Sequence, residues 1–234
     1  KELELVNENI EKGMHLKVGH VSQFTSLDLH WHDRYLHPGL LILSARMFNS
    51  NSPQIITMAS SMQFLYLGTG IHFGKYDQRL GLPVLIGDYF YSKFFSYMSE
   101  GEVLEWLAKT AQVVCEVHIA GIREREEAHL IQSDINKYIQ ILKSQSSLLG
   151  FCAAFGPSSV EADERYIEAL FSFGKNLGAA IQLLRNKEDF NIINKLLISA
   201  KERLNSLPET EEKDIMLKIT NYFTVLCKKK HLVS

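Results

Sequence analysis

The fold is indicated most clearly by one stretch of sequence, Val84-Leu-Ile-Gly87-Asp88-Tyr89-Phe-Tyr-Ser-Lys93. Aromatic pairs at Phe90-Tyr91 and Phe94-Phe95 are four residues apart, which places them on one side of a helix. Such a stripe is typical of a buried face or of a contact between helices. A second stripe of helical period, with lysines on its opposite face, occurs at Ile215, Ile219, Tyr222, Phe223 and Leu226.

Composition favours a compact helical protein. The chain has 234 residues, of which 46% are hydrophobic, and this is enough for a full core. Alternating β-branched and polar runs are nearly absent, and 5 prolines and 14 glycines leave long intervals for helices. We therefore predict an all-α fold of about eight to ten helices. No Gly/Ser-rich or Pro-rich linker divides the sequence, so we predict one domain over residues 1–234.

Charge, cysteines and hydropathy exclude several classes of protein. A net charge of −2 gives no overall basic field for nucleic acid or an anionic membrane. Cys115, Cys152 and Cys227 lie far apart, as ordinary thiols of a reducing compartment do. No apolar run reaches the roughly 18 residues that span a bilayer, and the first residues lack a secretion-signal order. We expect a cytoplasmic protein.

Local signals predict where some helices begin. Ser52-Pro53 is typical of a cap followed by proline at the first helical position, opening a helix to about Leu67. The capping-box spacing predicts two further starts, at Ser99 with Glu102 and at Ser158 with Glu161.

Common catalytic and metal motifs are missing. His30 and His32 have a spacing that suits a strand rather than a helical metal site, and Glu126-x-x-His129 lacks the second unit that a di-iron bundle needs. No nucleophile elbow, P-loop or dinucleotide motif occurs, so we predict no metal ligand and no catalytic residue. Lys228-Lys229-Lys230 suits a helix end, where cations complement the dipole; a targeting or phosphate-binding role is the alternative.

Four segments follow one another along the chain in an informative order. They are Arg34-Tyr-Leu-His37-Pro38-Gly-Leu-Leu-Ile-Leu-Ser-Ala-Arg-Met-Phe48, then Val84–Lys93, then Gly174-Lys-Asn-Leu177-Gly178-Ala-Ala-Ile-Gln182-Leu, and finally Ala200-Lys201-x-x-Leu204-x-x-Leu207-Pro208. In this order they resemble the G-G-K-R-x-R-P-x-L-x-x-L-S-A, V-L-x-G-D-Y-L-x-x-K, G-x-x-L-G-x-A-F-Q-I and A-x-x-x-L-x-x-L-P motifs of the trans-isoprenyl diphosphate synthase family. The resemblance implies an isoprenoid-synthase-type bundle of long antiparallel helices around a central cavity.

The chemistry of that family needs groups that this chain lacks. Its members join an allylic diphosphate to isopentenyl diphosphate, and Mg²⁺ held by two D-D-x-x-D motifs neutralises the leaving diphosphate. The motif positions fall on Phe73-Gly74-Lys75-Tyr76-Asp77 and Arg185-Asn186-Lys187-Glu188-Asp189, where one aspartate of each motif remains. We therefore expect no cofactor on this chain alone and Mg²⁺ on a catalytic partner.

The diphosphate contacts of the family are reduced as well. Its first motif has Lys, Arg and Arg where this chain has Arg34, Tyr35 and His37, and its later Lys-Thr pair falls on Gln145-Ser146. The resemblance leaves only degenerate candidates for substrate binding, which are Arg34, His37, His72, Asp77, Arg79, Gln182 and Asp189. The residues that pack the helices are kept, whereas the groups that would bind metal or diphosphate are missing. This pattern favours a protein that still uses the fold but does not perform the reaction.

Three hypotheses follow from the resemblance. The leading one is a non-catalytic small subunit of a heterodimeric long-chain polyprenyl diphosphate synthase, inactive alone and paired with a homologous catalytic subunit that carries both D-D-x-x-D motifs. The alternatives are a divergent active prenyltransferase, in which Arg34, His37, Arg79 and Arg185 bind diphosphate directly, and an isoprenoid-binding homodimer. We expect no nucleic-acid partner and at most peripheral membrane contact through a lipid product. Gly68, Thr69 and Gly70 fit either a deep product tunnel or close helix packing.

Overall fold

A computed structural model describes residues 1–16, 19–21, 29–50, 54–73, 82–127, 134–186 and 188–233, with side chains described as far as residue 229. The described chain is almost entirely helical, which confirms the all-α prediction. The two short strands β1 (His15–Leu16) and β2 (Gly19–His20) pair antiparallel with His15 opposite His20. The ten α-helices of the described part are α1 (Glu2–Met14), α2 (Trp31–Met47), α3 (Ile55–Phe73), α4 (Leu82–Glu100), α5 (Leu107–Glu126), α6 (Ile135–Gln145), α7 (Ser147–Ser159), α8 (Glu164–Arg185), α9 (Phe190–Leu204) and α10 (Glu211–Val233).

The chain forms two compact units that each have a core. The first unit comprises Lys1–Ile42 and Asn51–Lys109, and the second comprises Leu43–Ser50 and Thr110–Ser234. Helix α2 therefore contributes residues to both units. The prediction of one domain over residues 1–234 stays a prediction.

The first unit is built around α3, which packs against α1 and α4. Helix α3 is apolar on nearly all sides, as expected for a helix surrounded by others, and it buries Met58, Met62 and Phe64 completely. A Cβ on Gly68 would lie 3.1 Å from the backbone oxygen of Gly87, so the small residue allows α3 and α4 to approach closely. Packing therefore accounts for Gly68, and the helix continues to Phe73, beyond the predicted end near Leu67.

The second unit is built around α7 and α8. Helix α7 is buried along almost its whole length, and α8 packs against α6, α7 and α9. Helices α7 and α8 touch backbone to backbone, because a Cβ on Gly174 would lie 2.6 Å from the Cα of Gly150. Ser44 of α2 joins this core, donating to the Cys152 carbonyl at 3.3 Å and accepting from the Gly156 N–H at 3.0 Å.

Aspartates, rather than the predicted serines, begin several helices. Asp134, Asp163 and Asp189 are the N-caps of α6, α8 and α9, and each accepts a backbone N–H from the first turn. The predicted start at Ser158 is wrong, because α7 continues through Ser159. The predicted start at Ser99 is also wrong, because α4 continues to Glu100 and α5 begins only at Leu107. The predicted start at Ser52-Pro53 lies outside the described residues.

Among the described residues, no helix is both long enough and apolar enough to cross a membrane.

Candidate functional site

The site residues predicted from sequence fall in both units, and the first unit holds Arg34, His37 and His72. Arg34 is half exposed, and its Nη1 lies 4.0 Å from Oε1 of Glu11. It borders a small cavity of about 20 Å³, room for a single water, which Gln63 and Tyr35 also line. His37 is buried, and its ring stacks on the ring of Tyr66 with the centroids 4.1 Å apart. The structure therefore places His37 in the helix packing of the first unit.

A buried carboxylate lies beside these residues, and the sequence analysis did not single it out. Asp33 accepts a hydrogen bond from the Tyr66 hydroxyl and another, at 3.1 Å, from the backbone N–H of His30. Its backbone oxygen accepts from Nε2 of Gln63 at 2.7 Å. The three-residue spacing between His30 and Asp33 is that of a capping box, so a local signal for this role was present. Asp33 places a carboxylate one position before Arg34.

His72 lies at the end of α3 against α4. Its Nε2 is 3.3 Å from Oδ1 of Asp88, and its ring stacks on Tyr91 at 5.2 Å. Burial raises the pKa of the Tyr91 hydroxyl; a hydrogen bond with Thr69 opposes that rise, and the charge of Asp88 adds to it. This cluster holds the phenol protonated at neutral pH and offers a diphosphate no fixed cation.

Asp77 and Arg79, the other two candidates on the first unit, lie outside the described residues. The first D-D-x-x-D position is therefore represented in the described structure only by Phe73.

In the second unit, Gln182 and Ser146 contact each other directly. Nε2 of Gln182 donates to Oγ of Ser146 at 3.1 Å, and that hydroxyl donates to the Leu142 carbonyl at 2.8 Å. Gly178 makes the contact possible, because a Cβ there would lie 2.6 Å from Oγ of Ser146. The glycine and the glutamine of the α8 motif thus serve one hydrogen bond, four residues apart on one face of the helix.

Gln145 is held by an acid from another helix. Its Nε2 donates to Oε2 of Glu124 at 2.6 Å, and the Tyr138 hydroxyl lies 3.5 Å from Oε1 of the same carboxylate. Asn186 then donates to the Tyr138 hydroxyl at 3.1 Å. Burial raises the pKa of Tyr138, and the negative charge of Glu124 raises it further. The positions of the family's Lys-Thr pair are therefore occupied by the uncharged side chains of Gln145 and Ser146, and Gln145 is hydrogen-bonded to the carboxylate of Glu124.

Asp189, the surviving aspartate of the second motif position, is the N-cap of α9. Its Oδ1 accepts from the N–H of Asn191 at 2.8 Å and from that of Ile192 at 3.3 Å. Capping engages Oδ1 of this carboxylate, and Arg185 places a cation in the last turn of α8. Structure thus gives Asp189 a local architectural role.

Magnesium does not fit this half of the site. A diphosphate-bound cluster needs several converging carboxylate oxygens, and here one capping aspartate stands near an arginine and an amide network. Among the residues that the structure describes, no group of three or more His, Cys, Asp and Glu side chains could hold a metal ion. We derive no catalytic step through magnesium for this chain.

Helix α5 presents an apolar stripe outside the network. Four exposed residues follow one another along α5 at intervals of four, four and three: Ala111, Cys115, Ile119 and Ile122. The two isoleucines are 59% and 52% exposed. The stripe borders a groove of about 690 Å³ between α5 and α6, with Arg123 and Lys137 on its rim. Large aliphatic side chains so exposed are typical of a surface that another protein covers.

In sequence, the chain is similar to several prenyl diphosphate synthases. It is 22% identical, over 81% of its own length, to octaprenyl diphosphate synthase of Haemophilus influenzae, covering 62% of that protein. It is 22% identical to decaprenyl-diphosphate synthase subunit 2 of Schizosaccharomyces pombe, with 80% of the chain and 70% of the relative covered. The chain spans about half to three fifths of the length of several such relatives. No family model matches it.

Solved structures show the same fold over nearly the whole chain. The polyprenyl synthase of Caulobacter crescentus CB15 superposes with a TM-score of 0.80 at 16% identity, covering 95% of this chain and 94% of that one. The decaprenyl diphosphate synthase of Rhodobacter capsulatus gives a TM-score of 0.77 at 15% identity, covering 97% and 96%. Both matches confirm the fold implied by the four motif segments.

Proposed function

Because the chain is a relative of the trans-isoprenyl diphosphate synthases and has their fold, we propose that it is the non-catalytic subunit of a heteromeric polyprenyl diphosphate synthase. In this proposal the chain contributes surface and support, and a homologous partner with both D-D-x-x-D motifs holds Mg²⁺ and performs the condensation.

The observation that carries the proposal is the hydrogen-bond network of Gln145, Glu124, Ser146 and Gln182. Nε2 of Gln145 and Oγ of Ser146 already have hydrogen-bond partners within the chain. A diphosphate entering here would break the 2.6 Å bond from Gln145 and would face the charge of Glu124. At an effective dielectric constant of 20, two like charges about 5 Å apart repel by about 3 kcal/mol. The network therefore opposes the ligand that an active site must attract.

The apolar stripe of α5 supplies a surface for the partner. Ile119 and Ile122 are a little over half exposed, so burying them against another helix would contribute about 0.8–1.8 kcal/mol for each side chain. The adjacent groove is lined by apolar side chains such as Ile119 and Ile141, and the cations at it, Arg123 and Lys137, are both paired with Glu127. Such a groove suits the apolar face of an amphipathic helix.

The names of two similar proteins describe assemblies of several subunits. One is subunit 2 of a decaprenyl-diphosphate synthase, and another is a heterotetrameric geranyl pyrophosphate synthase from mint, with a TM-score of 0.63. Synthases made of more than one kind of subunit therefore occur among the proteins that this chain is similar to.

The test is incorporation of labelled isopentenyl diphosphate into extractable product, with Mg²⁺ and an allylic diphosphate. The chain is assayed alone and mixed with the motif-bearing synthase of the same organism. We expect no turnover alone, and on mixing either higher activity or longer products. Ile119→Asp with Ile122→Asp should abolish the effect of mixing, whereas Val160→Asp, a matched change at another exposed aliphatic residue, should preserve it.

A divergent but active prenyltransferase is the second candidate, favoured by the several relatives that are synthases by name. It would bind diphosphate through cations such as Arg34 and Arg185, without a full metal cluster. Turnover by the chain alone, lost in Arg34→Gln, would establish this candidate and refute the non-catalytic subunit. A prenyl lipid that copurifies with a homodimer, without any effect on a synthase, would instead support an isoprenoid-binding protein.

A further inference from the structure

Helix α10 is strongly polarised along its length. Its first turn carries Glu211, Glu212 and Asp214, whereas residues 215–234 contain four lysines and no aspartate or glutamate. The whole chain has a net charge of −2, so this concentration of lysines runs against the average composition. A local positive surface is therefore present on a protein that is slightly acidic overall.

The outward face of α10 combines these lysines with exposed apolar side chains. Met216, Thr220, Phe223 and Cys227 are buried on the inner face. On the outer face Lys218, Tyr222, Val225 and Lys229 follow at intervals of four, three and four residues, with Tyr222 45% and Val225 52% exposed. Two apolar side chains thus lie in one row between two cations.

Helix α9 extends this face alongside α10. Nζ of Lys201 donates to Oγ1 of Thr224 at 3.4 Å, which fixes the two helices side by side at this point. One turn before Lys201, Ile198 is 46% exposed, and one turn earlier again Lys195 is exposed. Glu202 is the exposed acid in this part of α9. We define the α9–α10 face by Lys195, Ile198, Lys201, Lys218, Tyr222, Val225, Lys228 and Lys229.

We propose that the α9–α10 face binds the surface of an anionic phospholipid bilayer. Lysine stems are long enough to lie along the apolar side chains while their ammonium groups reach lipid phosphates. Tyrosine is suited to the boundary between headgroups and acyl chains, and Ile198 and Val225 enter only the outermost acyl region. No helix of the described chain could span the membrane, so this contact is peripheral. The proposal does not depend on the proposed catalytic or non-catalytic role.

The experiment is sedimentation of the intact protein with vesicles of phosphatidylcholine alone or with about 30% phosphatidylglycerol, a fraction that gives a strongly negative surface. Binding is expected only to the anionic vesicles and should fall as salt is added. Lys228→Glu with Lys229→Glu should weaken binding at least about 25-fold, since each lysine near an anionic surface contributes about fivefold. Lys12→Glu with Lys109→Glu changes the net charge equally on exposed residues elsewhere and should leave binding within about twofold.

A second variant reports the orientation of the face without altering its charge. Val225→Trp should show blue-shifted emission on anionic vesicles and quenching by brominated acyl chains, whereas the native tryptophans, Trp31 and Trp106, should not. Equal weakening by the two double charge reversals would attribute binding to net charge and overturn the proposal. Equal binding to neutral and anionic vesicles, or no binding to any vesicle, would also overturn the proposal. The proposal would be overturned as well if the emission of the Val225→Trp variant stayed unshifted on vesicles and the face bound an acidic protein instead.

Discussion

Gly174→Ala tests the backbone contact that positions the α8 network. The added Cβ would lie 2.6 Å from the Cα of Gly150 and 2.6 Å from the backbone oxygen of Leu149. Neither atom belongs to a flexible side chain, so α7 and α8 must separate. Replacing a helical glycine by alanine gains about 1 kcal/mol in helix propensity, whereas overpacking against backbone costs about 3 kcal/mol. We expect a net loss of about 2 kcal/mol, or about 4–8 °C in Tm for a chain of this size.

The assay is urea denaturation followed by circular dichroism, with Gly39→Ala as the matched control. Gly39 is also inside a helix, and a Cβ there meets nothing within 4 Å. The control should therefore be stabilised by about 0.5–1 kcal/mol through reduced backbone entropy. If the two substitutions change the free energy of unfolding by the same amount, the α7–α8 backbone contact at Gly150 and Gly174 is not as close as described.

Three further predictions address charge and hydrogen bonding. Glu124→Gln should strengthen pyrophosphate binding by up to about 150-fold in calorimetry, because it removes the roughly 3 kcal/mol of like-charge repulsion next to Gln145. Unchanged affinity would contradict the proposed electrostatic exclusion. Lys213→Met should destabilise the protein by about 1–2 kcal/mol in urea denaturation, because it removes a buried ammonium group that donates to the Leu207 carbonyl at 3.3 Å and to Glu209. The control Arg203→Met, at an exposed position, should have little effect. Burial raises the pKa of Glu116, but contacts led by the hydrogen bond from Lys175 outweigh that effect and lower the pKa overall. A carboxyl group whose pKa is lowered by folding stabilises the folded state at pH values above its unfolded pKa of about 4.3. Glu116→Gln should therefore lower the urea midpoint at neutral pH. The difference in midpoint between variant and native protein should disappear as pH falls below about 4. A difference that persists in acid would exclude the ion pair as its cause.

Motifs within single helices, and their order along the chain, predicted the fold. Contacts between segments far apart in the sequence could not be predicted. The Gly174–Leu183 segment identified the helix that carries Gln182, because its motif is set by packing along one helix. The serine–glutamate spacing at Ser158 failed, because Pro157 is accommodated within α7 and Asp163 caps the next helix. Tertiary packing of α7, and not the local spacing at Ser158, determines where that helix ends.

The candidate site shows the same limit. The loss of the metal motifs could be recognised position by position. The replacement network could not, since Glu124 and Gln145 are 21 residues apart and their contact depends on how α5 and α6 pack. His37 and Asp189 were selected for their chemistry, whereas burial and capping, which no motif encodes, determine what these two side chains contact.

Gly87 and His72 form a pair with a consequence for how this sequence can evolve. A Cβ at position 87 would lie 2.6 Å from Nε2 of His72, so even alanine there collides with the imidazole. Alanine at 87 therefore requires either a small residue at position 72 or a shift of the imidazole away from Asp88 and Tyr91. The two positions should covary among close homologues. A glycine at this position would then be retained by its steric coupling to position 72, independently of any selection for activity.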